Sequence, residues 1–134
     1  MRTTSNIRRF KLSEAFIEPY KTREVPWGPL GYVTFKRTYA RRLSEFETGA
    51  EGTEEWWQTC RRVIDAMFDM QKQHVYHLGL EWNDSKAQST AKDAYDRLFN
   101  LKWTPPGRGL WMMGTKFVEE RTAAGLFNCA FRST

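Results

Sequence analysis

The tetrapeptide Thr104-Pro105-Pro106-Gly107 divides this chain. Proline lacks the backbone N–H and fixes φ, and glycine admits unusual φ, so neither a helix interior nor a central strand runs through it. The residues before it read as helical scaffold. Those after it do not. A short apolar run, Leu110-Trp111-Met112-Met113, stops at Gly114 and reads as a short strand or extended segment. A short helix is expected over residues 116–122. Then comes Leu126-Phe127-Asn128-Cys129-Ala130-Phe131, a compact apolar run holding one amide and one thiol. It reads as a buried terminal strand that delivers Asn128 and Cys129 to one place.

Upstream, the spacing predicts three main helices. Residues 1–9 are polar and basic, a frayed terminus, and residues 12–20 form a short helical turn ended near Pro19. Pro29 suits the first turn of a helix, where its missing N–H costs nothing. From Leu30 the residues Tyr32, Phe35, Tyr39 and Leu43 recur at helical spacing. Lys36, Arg37, Arg41 and Arg42 occupy the remaining faces and read as a solvated surface, with a phosphate or nucleic-acid contact as the alternative. After a loop over residues 44–52, Thr53 is placed to cap a second helix, with Glu54 and Glu55 favourable in its first turn. Trp56, Cys60, Val63, Ile64, Met67 and Phe68 make its apolar stripe, which runs to about Val75. Cys60 inside that stripe reads as a small hydrophobe and not a reactive thiol. His74 and His77 lack partners for a metal site, and none is assigned; they suit a helix C-terminus that Gly79 stops. Asn83 or Asp84 caps the third helix. Its small residues Ala87 and Ala91, with Tyr95, should pack closely on the stripe of the second, and Leu101 continues its apolar side.

The chain has a formal charge of +5, which suits an anionic partner but equally serves solubility. Two cysteines make no disulfide framework. No secretory apolar segment opens the sequence, and no apolar run approaches the ~20 residues that span a membrane. The expected compartment is the cytosol, where thiols stay reduced unless catalytic.

Three blocks in order carry a resemblance: Trp27-Gly28-Pro29-Leu30-Gly31-Tyr32-Val33-Thr34-Phe35-Lys36-Arg37-Thr38-Tyr39-Ala40-Arg41, then residues 104–115 (TPPGRGLWMMGT) with the helix-like VEERT, then FNCAF. Together they resemble adenosylcobalamin-dependent (class II) ribonucleotide reductases, in particular the monomeric ribonucleoside-triphosphate reductase type. The resemblance runs from about Phe16 to the end. It implies a mostly α piece, in which residues 1–103 form an N-terminal helical region. Residues 104–134 then carry a substrate loop and the first strand of a ten-stranded α/β barrel. By the motif match, Cys129 is one half of the redox-active cysteine pair, and Thr104 and Asn128 contact the ribonucleotide. Arg108 is a candidate for phosphate.

The chemistry is consistent with those roles. A thiol pair closes to a disulfide and so delivers two electrons, and exchange with a thioredoxin-like dithiol reopens it. Hydroxyl and amide groups hydrogen-bond ribose and phosphate oxygens, and loop prolines lower the entropy cost of doing so. The partner of Cys129, the radical cysteine and the cobalamin surface lie downstream in such enzymes. This piece is therefore expected to be an N-terminal fragment, inactive alone and not binding adenosylcobalamin, that works with the missing C-terminal part. The alternative reading is a small basic helical module contacting nucleic acid through Arg37, Arg41 and Arg42.

Overall fold

The computed structural model describes residues 7–46 and 50–120. Its elements are α1 (Glu14–Ile17), a 3-10 turn (Glu18–Lys21), α2 (Pro29–Thr38), a second 3-10 turn (Leu43–Glu45), α3 (Trp56–His77), α4 (Asp84–Phe99), α5 (Gly107–Met112) and α6 (Lys116–Glu120). Among the described residues the only β pairing is an isolated antiparallel bridge between Arg42 and Thr53. The terminal strand expected over residues 126–131 lies outside the described residues.

The antiparallel pair α3 and α4 is the frame, and the expected stripes meet. Trp56, Cys60, Val63, Ile64 and Phe68 are buried on α3, and Ala87, Ala91, Tyr95, Leu98 and Phe99 on α4. Two cross-helix bonds fix the register: Trp56 Nε1 donates to the Phe99 carbonyl (3.0 Å) and the Tyr95 hydroxyl to the Trp57 carbonyl (3.0 Å). Both satisfy the polar tip of an otherwise apolar ring, the usual condition for burying one. The ends obey local chemistry. Asn83 accepts from the Lys86 N–H (3.0 Å) as the N-cap of α4. Gly79 (φ +76°) closes α3 with its N–H on the Tyr76 carbonyl, and the next N–H, of Leu80, bonds the Val75 carbonyl, a Schellman arrangement.

Four expectations are corrected. The N-cap of α3 is Glu55, not Thr53, in a capping box with Gln58. Thr53 is held in the bridge to Arg42, so the helix starts later and Glu54 turns inward. In α2 only Phe35 of the four periodic residues is buried. Tyr32 is exposed, and Tyr39 and Leu43 lie beyond the helix end at Thr38. The segment around Leu110 is helical, not extended. Prolines excluded from a helix interior fit just before its first turn, and Pro106 is the N-cap of α5. Four apolar residues are too few to distinguish the two periods. Finally, Leu101 does not extend the apolar face of α4. It adopts φ +57° just past the C-cap, the position that ordinarily takes glycine.

The N-terminal segment before α1 has no regular secondary structure and is strapped across the pair by side chains. Phe10 and Leu12 point inward and are buried. The Phe10 N–H donates to Asp69 (2.9 Å), the Leu12 N–H to Asp65 (2.9 Å), and Arg61 donates to the Leu12 carbonyl (3.0 Å). From α4, Gln88 donates to the Lys11 carbonyl (2.7 Å). Buried backbone must find partners, and here helix side chains provide them. At the far end of the pair, Trp27 packs on both Phe35 and Trp56, with ring centroids 5.4 and 4.6 Å away, and those two rings meet at 5.3 Å, which seats α2. No helix among the described residues is long and apolar enough to cross a membrane.

Candidate functional site

The Pro-rich loop enters the site already tethered. Trp103 Nε1 donates to the Ala94 carbonyl of α4 (3.1 Å). Thr104, the next residue, is exposed. Pro105 lies against α5, where a Cβ on Gly109 would sit 3.2 Å from the Pro105 Cβ. At Gly107 a Cβ would meet the Tyr39 ring and hydroxyl at 3.1 Å, so glycine admits the close approach of α5 to the end of α2. Beside this contact opens a groove of about 390 Å³, lined by Thr38, Tyr39, Gly107, Arg108 and Trp111. Trp111 is 46% exposed, and the Arg41 guanidinium lies 5.2 Å above its ring. Arg41 also pairs with Glu45. The groove is thus lined by two aromatic residues, a threonine and Arg108, residue types able to stack a planar base and hydrogen-bond phosphate.

Beneath the groove lies an ion pair that the sequence did not disclose. Glu54 and Arg62 are joined at 3.0 Å, with side chains only 3% and 6% exposed. Arg62 also donates to the carbonyls of Leu110 (2.6 Å) and Met113, at the end of α5. These are carbonyls a helix end leaves short of partners. Glu54 in turn accepts from the Arg41 N–H (2.9 Å) and the Thr59 hydroxyl (3.1 Å). Gly114, at φ +79°, passes directly over the Arg62 stem: a Cβ there would lie 2.8 Å from Arg62 Cγ. The signals in the sequence were an arginine pair inside an apolar helix and a glycine ending the α5 run. Neither names its partner.

Of the expected site residues, Thr104 is exposed on the loop that leads into α5 and is not among the groove's lining residues, whereas Asn128 and Cys129 lie outside the described residues. Cys60 is fully buried, and burial, reinforced by the Glu54 charge, pushes its thiol well above the ordinary value, which makes it a poor nucleophile. Burial likewise raises the Asp65 carboxyl to about 6, although the Leu12 N–H and Arg61 act against it. Among the described residues no group of three or more His, Cys, Asp or Glu is placed to hold a metal ion. A larger cleft of about 890 Å³, between the N-terminal segment, α3 and α6, is lined by Arg9, Lys11, Asp65, Asp69 and Glu119 among others. Neither the groove, at about 390 Å³, nor this charged cleft fits adenosylcobalamin.

The comparisons agree with one another. The family model described as the ribonucleotide reductase alpha domain matches residues 12–115. A probable adenosylcobalamin-dependent ribonucleoside-triphosphate reductase of Dictyostelium discoideum is 40% identical over 131 residues, covering 96% of this chain and 17% of the relative. The adenosylcobalamin-dependent ribonucleoside-triphosphate reductase of Euglena gracilis is 40% identical over 130 residues, covering 94% and 17%. The crystal structure of a B12-dependent (class II) ribonucleotide reductase superposes with a TM-score of 0.73 at 30% identity, over 90% of this chain and 16% of that one. The chain therefore spans about a sixth of the length of the proteins it resembles. The nucleic-acid module is not supported: the relatives are reductases, and Arg41 is committed to Glu45 and Trp111.

Proposed function

This chain belongs to the ribonucleotide reductase alpha domain family, and we propose that it supplies the N-terminal helical region and substrate loop of an enzyme reducing ribonucleoside triphosphates to deoxyribonucleotides. The observation that carries this reading is the 40% identity to ribonucleoside-triphosphate reductases across 96% of the chain. Residues 1–103 are the scaffold; residues 104–134 bring the loop and the first barrel strand. Thr104, on the loop that leads into α5, contacts the nucleotide, and Asn128 contacts it from the strand. Cys129 and a second cysteine of the same enzyme close to a disulfide. Two electrons and two protons leave the thiols, the 2′ carbon of the ribose is reduced, and its hydroxyl departs as water. A thioredoxin-like dithiol restores the pair by exchange. Adenosylcobalamin, named for the relatives, belongs to the whole enzyme and is held by residues other than those described. The compartment that suits this chemistry is the cytosol.

The test is Cys129→Ser in a reductase assembled with this chain as its N-terminal region. The side chains are close in size, so fold and nucleotide binding should persist. Deoxynucleotide product should be lost even with dithiol in excess, because a hydroxyl forms no disulfide. Normal multiple turnover by the serine variant would reduce Cys129 to a core residue and defeat the assignment.

A further inference from the structure

The two walls of the groove come from segments far apart in sequence, yet one buried ion pair touches both. The first wall is the end of α2, with Tyr39 and, just beyond, Arg41. The Arg41 N–H donates to Glu54 Oε1 (2.9 Å), and the Glu54 N–H donates back to the Arg41 carbonyl (2.8 Å). The second wall is α5, with Gly107 and Trp111. Its terminal carbonyls at Leu110 and Met113 accept from the two Nη atoms of Arg62. The carboxylate and guanidinium meet in the middle through several bonds of 3.0–3.3 Å. Remaining contacts transmit the position outward. Pro105 rests on Gly109, so the placement of α5 sets that of the neighbouring Thr104. Tyr39 faces Gly107 so closely that a Cβ there would meet its ring at 3.1 Å, so the walls approach to a distance that only glycine admits.

We infer that Glu54 and Arg62 are positioning residues that set the width of the groove and hold the Thr104 loop in register for a nucleotide; the nucleotide part rests on the proposed reductase function. A pair serving stability alone would need only each other. Here each partner spends hydrogen bonds on one wall: the carboxylate on the Arg41 backbone, the guanidinium on the end of a helix of only six residues. So short a helix has little stability of its own, and its last turn is held from outside. Arginine is specific to the task. Its planar fork reaches two carbonyls and a carboxylate at once, whereas lysine is a point donor.

Two measurements decide it. In the purified chain, amide exchange is monitored at Leu110 and Met113 in α5, and at Ile64 and Ala91 as reporters of the α3–α4 frame. Arg62→Met should speed exchange in α5 by about tenfold or more beyond any change in the frame, since a local opening is being released. The Tyr39 ring and Gly107 resonances should shift with it. Arg62→Lys should give a smaller effect of the same pattern, and it carries the comparison if Arg62→Met does not fold. Exchange in α5 that is unchanged, or that rises only in step with the frame, overturns the inference. In the assembled reductase, Arg62→Lys should raise KM for the nucleotide about tenfold while kcat stays within about twofold, because ground-state placement is what is lost. Thr104→Ala is the control for the site. If Thr104→Ala raises KM and Arg62→Lys does not, the positioning role falls and the site stands. If neither raises KM, the nucleotide site falls, and the exchange result alone decides whether the pair sets the groove.

Discussion

Asp65 should make this protein's stability fall as the pH rises from 4 to 7, and Asp65→Asn should abolish that fall. The carboxyl lies on α3 beneath the N-terminal segment, with its side chain one-fifth exposed. It accepts from the Leu12 N–H at 2.9 Å and faces Arg61 Nε at 3.4 Å. Burial nevertheless outweighs both and lifts it from 3.8 to about 6. The folded state therefore binds the proton more tightly than the unfolded chain does. Below about 4 both states are protonated, and burial of the charge costs nothing. Between about 4 and 6 the unfolded chain ionises first, and above 6 the folded state carries the full cost. From those two values the cost approaches about 3 kcal/mol, an upper figure because the group is not wholly enclosed. Asparagine keeps an acceptor for the Leu12 N–H, and Arg61 retains Glu14 (2.7 Å) and the Leu12 carbonyl (3.0 Å). The assay is urea unfolding of both proteins, read by tryptophan fluorescence at several pH values from 3.5 to 8. The stability of Asp65→Asn relative to the parent should climb by about 2–3 kcal/mol across that range. Glu14 works oppositely, because its hydrogen bond from Arg61 holds it below the ordinary value. It is present in both proteins and largely drops out of the difference. Parallel curves, or a relative loss in the variant as pH rises, would refute the reasoning.

Three further outcomes are expected. Leu101→Gly should stabilise the chain by about 0.5–1 kcal/mol in thermal unfolding, since a left-handed residue costs a side chain about 1–2 kcal/mol and Leu101 at 37% exposure returns little burial; destabilisation would mean that its packing outweighs its backbone. Arg62→Met should cost about 3–5 kcal/mol in urea unfolding by leaving a carboxylate buried without its cation. Adding Glu54→Gln should recover part of that loss, because the amide still accepts from Arg41 and Thr59. Cys60→Ala should cost on the order of 1 kcal/mol through the emptied core position and leave turnover of an assembled reductase unchanged, an outcome read by unfolding and activity together.

Much of the frame was legible in the chain. The stripe from Trp56 to Phe68 and the small-residue face at Ala87 and Ala91 matched at a period close to 3.6, and both were buried as that period requires. Pro29, Asn83 and Gly79 marked element ends because caps and stops are decided within a few residues of backbone. The proposed site residues rest on motif resemblance alone. Thr104 can be placed on its loop, but nothing in its own neighbourhood says what it faces.

The sequence by itself determined that two long helices pair through matching stripes, that the chain breaks at Gly79 and at the Pro105-Pro106 loop, and to which family it belongs. These depend on local backbone chemistry and on residue order, and both are complete in the one-dimensional string. Only the tertiary structure decided that Glu54 turns inward, that Arg62 reaches carbonyls 48 and 51 residues away, and that the run around Leu110 coils instead of extending. It also decided that the segment at Phe10 and Leu12 is tied down by Asp65 and Asp69. A charge on a helix looks the same in sequence whether it meets water or a distant backbone. Its energy depends on what folds against it, and that is fixed only when the whole chain has packed.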